Sequence, residues 1–321
     1  MAHHAYFVGE NGALEWREGP LLEPQTGQLQ IEVHAAGINR PDLLQRAGVY
    51  PPPPGASEAL GLEVSGIVTA VGPETSRFVV GDKVMALVPG GAYAEACIAD
   101  EGSAMPLPQA FSFEQGAAFP ETAFTVWTNV LEGGRLAKGE RLFVHGATSG
   151  IGTMAASIAT ALGNKVYGTA GTADKVAAAE AHGFTKVWNH KEDDWSAAMD
   201  EAGGVDVVLD MVGGDYVPKN LAMLREGGRH VSIAFLRGTE AAVNVMAIMR
   251  KRLTLTGSTL RARPTAEKSR LRGEVERHLF PLIETGKLAP LVSLSAPMDQ
   301  VEAAHQAMQS GELIGKAVLT R

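Results

Sequence analysis

The sequence predicts an α/β protein in two parts: a doubly wound parallel sheet of six strands, and a smaller antiparallel β domain of barrel-like form. Three observations predict it. The glycine-rich run His145-Gly146-Ala147-Thr148-Ser149-Gly150-Ile151-Gly152 stands between an apolar segment and an alanine-rich one. Short β-like segments then alternate with helical ones as far as Gly257, the pattern of a parallel sheet with crossover helices. The N-terminal third instead alternates apolar and polar residues between Gly and Pro turns, as half-buried antiparallel strands do.

In chain order, Leu29 to Ala35 reads as the first clear strand, followed by Val64 to Gly72 and Lys83 to Leu87. Pro51-Pro52-Pro53-Pro54-Gly55 cannot enter a helix or a sheet interior and reads as a stiff surface loop beside Tyr50. Helices begin near Glu121, with Phe119 to Glu132 leading toward the glycine turn. Strands are expected to start at Leu142, Val166, Val187, Val205, Val231 and Leu253, giving a six-stranded doubly wound sheet. Leu253 to Leu260 is expected as its edge strand. The tail reads as a helix from Ala266 to Thr285, a strand near Leu291 to Leu294, a helix from Gln300 to Gln309 and a strand from Lys316 to Leu319. It is expected to rejoin the β domain, so that residues 1–122 and 262–321 form one domain, residues 123–261 the other, and the active cleft lies between them.

Composition narrows the function. With 321 residues, 45% hydrophobic and 20% charged, the chain has room for two cores. A net charge of −8 argues against a nucleic-acid surface, which needs clustered cations. The basic stretch from Arg250 to Arg263 reads equally as a local anion site or as a solvated helix-to-strand junction. A single cysteine, Cys97, excludes an intrachain disulfide and a multi-cysteine zinc site. No apolar run has membrane-spanning length and no signal-peptide pattern opens the chain, so the cytoplasm is the expected location and no membrane partner is expected. His3 and His4 read as a flexible terminus rather than a metal site.

A glycine-rich strand-to-helix turn brings backbone N–H groups and the positive end of a helix to an anion, usually a dinucleotide pyrophosphate. Ser149, Gly150, Ile151 and Gly152 are the expected contacts, with glycine at 150 and 152 permitting close approach. A dinucleotide fold that prefers NAD places a carboxylate about 20 residues beyond the turn. Here that segment reads Gly168-Thr169-Ala170-Gly171-Thr172, with Lys175 four residues after Gly171. A 2′-phosphate would not be repelled there, and Lys175 would attract it. The alternative for Lys175 is a solvated residue at a helix start.

Several motifs resemble the zinc-free quinone oxidoreductases of the medium-chain dehydrogenase/reductase superfamily. They are Ala36 to Tyr50 with Pro51 to Pro54, Leu60 to Gly66, Val80 to Val84, Gly90 to Glu95 and Ile314 to Val318. The match spans essentially the whole chain. It is nearer to the tumour-suppressor-induced branch than to the zeta-crystallin branch, because of Leu44 and Ser149. The resemblance implies a GroES-like domain joined to a Rossmann domain, NADPH as cofactor and a homodimer paired along the sheet edge. It implies cofactor contacts at Gly171, Lys175 and His190, where the family usually has tyrosine in place of the histidine, so that affinity could vary with pH near neutrality. Val212 and Phe235 are further cofactor-binding candidates, although Phe235, like Phe119, reads equally as core. Asn39 and Thr125 would touch the nicotinamide end; the alternatives are a turn residue and helix packing. Tyr50 would line the acceptor pocket, stacking on a quinone with its hydroxyl near the carbonyl that gains charge. Its alternative is an aromatic plug at the cleft mouth.

Departures from the superfamily's zinc enzymes point the same way. Asn39 stands where their first metal cysteine falls, Gly61-Leu62-Glu63 replaces Gly-His-Glu, and their four-cysteine lobe is absent, so no zinc is expected. A short-chain reductase would need a Tyr-x-x-x-Lys pair after the turn, and none follows. The expected reaction is NADPH-dependent hydride transfer to quinones or related conjugated carbonyls. The alternatives are reduction of an enone or enoyl thioester, for which Tyr50 is the visible acid, and a non-catalytic NADPH-binding protein.

Overall fold

The computed structural model describes residues 3–20 and 23–321. The chain folds as two units: Met1–Phe124 with Leu260–Arg321, and Thr125–Thr259. In the first unit, β1 (His4–Val8) and β2 (Leu14–Glu18) form an antiparallel hairpin. Then come β3 (Gln28–Ile38), α1 (Arg40–Arg46), β4 (Glu63–Val71), β5 (Lys83–Leu87), β6 (Ala96–Asp100), β7 (Ala104–Pro106), α2 (Phe113–Ala117) and α3 (Pro120–Val126). The second unit carries β8 (Arg141–His145), α4 (Gly150–Ala161), β9 (Lys165–Ala170), α5 (Ala173–Ala181), β10 (Lys186–Asn189) and α6 (Trp195–Glu201). It continues with β11 (Val205–Asp210), α7 (Tyr216–Met223), β12 (Leu224–Ser232), α8 (Val245–Lys251) and β13 (Thr254–Gly257). The tail adds α9 (Thr265–Glu284), β14 (Val292–Pro297), α10 (Val301–Ser310) and β15 (Lys316–Thr320) to the first unit.

In the first unit the strands pair in the order β14-β15-β3-β4-β5-β7, with β6 added to β3. Along β3, Leu29, Ile31 and Val33 face the core while Gln30, Glu32 and His34 face outward. From Ala35 onward both faces are buried, because Ala117 and Ala118 at the end of α2 pack on that stretch. A Cβ on Gly37 would fall 2.2 Å from the Ala117 carbonyl oxygen, so only glycine admits that approach. The antiparallel expectation needs one correction: β14 and β15 are parallel. Helix α10 joins them, and parallel neighbours require a crossover of that kind.

The second unit has the order β10-β9-β8-β11-β12-β13, with every pair parallel. This is the doubly wound Rossmann order, with its switch point between β8 and β11. Ligand-binding loops gather beyond the carboxyl ends of the strands at such a point. Here those loops are the glycine turn after β8 and Met211 to Gly214 after β11.

Other expectations also change. The edge strand β13 stops at Gly257 rather than reaching Leu260: Ser258 N–H makes one more bond, to Ser232 O at 3.2 Å, and its hydroxyl donates to Asn129 Oδ1 at 2.8 Å. Phe119 to Glu132, the segment leading toward the glycine turn, is α3 running into a π-helical turn from Trp127 to Gly133, with Gly134 N–H bonded to Asn129 O at 2.8 Å. His3 and His4 are not a loose end, because His4 opens β1 and the His3 carbonyl accepts from Gly19 N–H at 2.8 Å. The basic stretch is also divided: Lys251 donates to the carbonyls of Ala222 and Leu224, whereas Arg261 is buried. Among the described residues, no helix is long and apolar enough to cross a membrane.

Candidate active site

Gly146 turns the chain out of β8 with φ +68, a conformation that favours glycine. Ser149 then caps α4, its hydroxyl oxygen accepting from Gly152 N–H at 3.0 Å. The cap leaves the N–H groups of Gly150 and Ile151 as open donors of the helix end. A Cβ on Gly152 would lie 2.3 Å from Gly146 O and 2.7 Å from Ala147 O, so the helix can start this close to the strand only with glycine there. The whole arrangement is an anion seat made of backbone, backed by a twelve-residue helix. Ser149 serves first as the cap that builds this seat.

A buried polar chain ties the glycine turn to the loop across the switch point. Asp210, the last residue of β11, accepts from Val212 N–H at 2.7 Å and Gly213 N–H at 3.2 Å. Its other oxygen meets His230 Nε2 at 3.0 Å and Asn220 Nδ2 at 3.2 Å. Asn220 Oδ1 in turn meets His145 Nε2 at 2.7 Å, and His145 Nδ1 meets Thr169 Oγ1 at 2.9 Å. Burial pushes the His145 imidazole down to about 4, so at neutral pH the ring is uncharged. It then donates from Nε2 to Asn220 and accepts the Thr169 hydroxyl proton at Nδ1. Burial, the largest influence, opposes ionisation of Asp210, but the His230 hydrogen bond, the neighbouring His145 and the Val212 N–H together hold the carboxyl below its usual range. Val212 is held in place through this chain. Phe235 is 65% exposed and borders a cavity of about 480 Å³ with Ser232, Gly257, Ser258 and Thr259, so it is not core. Phe119, by contrast, is wholly buried.

At the end of β9, Thr172 caps α5 by accepting from Lys175 N–H at 3.3 Å. Lys175 is half-buried in the first turn of that helix. His190 lies over Gly171, where a Cβ would be 3.2 Å from its Nε2. Burial, then the charges of Lys191 and Arg237, lower the His190 pKa. Thr125 sits in α3, its carbonyl accepting from Asn129 Nδ2 at 2.9 Å.

The other candidates lie in the first unit, among charges that the sequence did not single out. Lys316 Nζ donates to Glu63 Oε1 and Asn39 Oδ1, both at 2.6 Å, and to Ile38 O at 2.8 Å. Asn39 Nδ2 donates to the same Glu63 oxygen at 2.9 Å, and Glu63 Oε2 accepts from Glu121 N–H at 2.9 Å. Both faces of the Asn39 amide are thus engaged inside the domain. Asp42 Oδ2 accepts from Asn39 N–H at 2.7 Å and from the Tyr93 hydroxyl at 3.0 Å. Burial is the main cause that pushes Asp42 up to about 6. Glu121 goes up to about 8 through burial and the neighbouring Glu63.

Tyr50 is half-buried, with the Arg261 guanidinium 5.5 Å from its ring centroid. Arg261 donates to Pro89 O at 2.8 Å and Gln45 Oε1 at 2.7 Å. Burial and then Glu121 raise the Tyr50 pKa, so its hydroxyl keeps its proton at neutral pH. The residues missed from sequence are therefore Glu63, Glu121, Arg261 and Lys316. Glu63 and Lys316 each lie inside a family-like motif, and Arg261 lies in the basic stretch; Glu121 had no signal.

Residues 150–274 match the sequence model described as zinc-binding dehydrogenase, and residues 25–109 that of the alcohol dehydrogenase GroES-like domain. These matches and the two sheets define a medium-chain dehydrogenase/reductase: a GroES-like domain joined to a Rossmann domain. The chain is 32% identical over 304 residues to the quinone oxidoreductase of Mus musculus, spanning 92% of this chain and 90% of that protein. Among solved structures, the Escherichia coli quinone oxidoreductase complexed with NADPH superposes with a TM-score of 0.87 at 31% identity, covering both chains completely. CurK enoyl reductase superposes with a TM-score of 0.85 at 25% identity over 99% of each chain. The chain belongs to the quinone oxidoreductase family of the medium-chain dehydrogenase/reductase superfamily.

Proposed function

We propose that this oxidoreductase uses NADPH to reduce quinones or related conjugated carbonyl compounds, and does so without zinc. The observation that carries the cofactor choice is the end of β9. Gly171 presents no carboxylate to a ribose, and the side chains nearest it are His190 and Lys191. The backbone seat at Gly150 and Ile151 suits a pyrophosphate, so the residues present fit a dinucleotide. Bound there, the nicotinamide would supply the hydride. The chain's own contribution is to hold the phosphates, keep Val212 and its loop rigid through Asp210, and offer Tyr50 to a planar acceptor.

The zinc-free reading rests on Lys316. Its ammonium already bridges Asn39 and Glu63. A divalent ion placed beside those oxygens would meet a fixed positive charge, and the cysteine and histidine that favour zinc are replaced by Asn39 and Leu62.

The test is nicotinamide oxidation with NADPH and NADH against a panel of quinones and enones. Rapid NADPH-selective turnover with a quinone supports the reading. Activity confined to enones moves the assignment to enone or enoyl-thioester reduction, with Tyr50, whose hydroxyl keeps its proton at neutral pH, as the candidate acid. Tight NADPH binding without turnover supports a binding protein instead. Lys175→Ala is expected to weaken NADPH far more than NADH, and equal losses would remove Lys175 from the 2′-phosphate. Tyr50→Ala should lower turnover while cofactor binding persists.

We also propose a homodimer. The unpaired edge of β13 lies at the end of the sheet, and Met246, Met249 and Leu255 are exposed at 59%, 66% and 40%. A monomeric mass in solution would overturn this assembly.

A further inference from the structure

Asn189 ends β10 and builds the turn that follows it. Its buried side chain accepts from Lys191 N–H at 3.2 Å, while its carbonyl accepts from Glu192 N–H at 3.0 Å and Asp193 N–H at 2.8 Å. Asp193 returns a bond, its carboxylate accepting from Asn189 N–H at 2.7 Å. His190 N–H extends the sheet ladder to Ala170 O at 3.0 Å. The backbone of this turn is therefore fixed, and it hangs two side chains over the end of β9. A Cβ on Gly171 would lie 3.2 Å from His190 Nε2 and 3.8 Å from Lys191 Cε. In a doubly wound fold, the 2′ position of the adenosine ribose is presented at the end of this second strand.

The charges around the turn single out Lys191. Asp194 caps α6 by accepting from Ala197 N–H at 3.2 Å. Arg237 is held by Asp215 at 2.7 Å, so its charge is compensated locally. The exposed Lys191 has no ion-pair partner among the described residues. His190 is held below its ordinary pKa by burial and by its cationic neighbours, so near neutral pH it hydrogen-bonds without contributing a charge. A dianionic phosphate is bound more strongly where ionised donors meet it.

We propose that Lys191 is a specificity-determining residue of this protein: its ammonium, set beside His190 above Gly171, binds the 2′-phosphate that distinguishes NADPH from NADH. This inference rests on the NADPH reading and adds to Lys175 a second cation, delivered from the turn after β10. Because Lys191 is exposed and only its backbone holds the turn, its side chain can be changed without disturbing the fold.

The experiment measures the affinities of NADPH and NADH by fluorescence titration for the wild type, Lys191→Ala and Lys191→Arg, at low and at high salt. Lys191→Ala is expected to lower the NADPH-to-NADH affinity ratio by about tenfold, a loss that shrinks as salt screens the charge. Lys191→Arg should restore most of the ratio. 2′,5′-ADP and 5′-AMP, titrated in the same way, should reproduce the pattern without the nicotinamide. A wild type with equal affinity for NADPH and NADH would overturn the NADPH reading and this inference together. A wild type that prefers NADPH, with a ratio that Lys191→Ala leaves intact, would overturn the role of Lys191 alone.

Discussion

The helix end at Gly150 and the charged cluster around Lys316 are built by opposite means. The first is made of backbone: one serine cap, two glycines and the open N–H groups of α4, all within eight consecutive residues. The second is made chiefly of side chains from distant segments: Asn39, Glu63 and Lys316 meet one another, and the Glu121 N–H joins them, through bonds of 2.6 to 2.9 Å. A backbone site needs room, so its weak points are added atoms. A buried charge cluster needs balance, so its weak points are removed charges.

The sharpest way to break that contrast is Lys316→Met. Removing one partner leaves Glu63, which is wholly buried, without its counter-charge. A loss of about 3–5 kcal/mol in urea-induced unfolding is expected, with a smaller loss when Glu63→Gln is added. If the single substitution costs less than the double, the cluster is not acting as a balanced set.

A second test uses pH. Burial is the chief cause that pushes the Asp42 carboxyl up to about 6 in the folded protein, above the ordinary aspartate value of 3.8. The folded chain therefore holds this proton more tightly than the unfolded chain does. Its contribution to stability is full below the unfolded value and is lost as pH rises through the folded one. Asp42→Asn should remove that downward slope between about pH 4 and 6, a change on the order of 2–3 kcal/mol across the window. Unfolding curves collected across the window for both proteins decide it.

On the backbone side, Gly152→Ala places a methyl 2.3 Å from Gly146 O. Separation of helix and strand should cost about 1–3 kcal/mol and weaken both NADPH and NADH, read by thermal melting and by cofactor titration. Ser149→Ala should be the mildest change. Loss of the cap costs about 1 kcal/mol, and the open donors at Gly150 and Ile151 persist, so cofactor affinity should fall less than for Gly152→Ala. A larger effect at Ser149 would mean that its hydroxyl meets the ligand directly.

The same contrast explains what was legible in the sequence. The glycine turn, the six strands and the doubly wound order could be read because each depends on neighbours in the chain. The parallel β14–β15 pair could not, since direction of pairing is settled by where α10 packs. The edge strand was read too long: it ends at Gly257, and the Ser258 hydroxyl beyond it meets Asn129, a partner far earlier in the chain. Asn39 was legible as a candidate residue, but the engagement of its amide by Lys316 and Glu63 was not. Arg261 read as part of a basic stretch, yet it is buried against Pro89, Gln45 and Tyr50.

By itself, then, the sequence determined the two-part architecture and the glycine turn that opens α4, because hydrophobic periodicity and glycine act over a few residues. The tertiary structure alone decided which charges face one another. Glu121 and Asp42 gain their raised pKa values, and Lys316 and Lys191 their positions, from burial and from partners that no local spacing specifies.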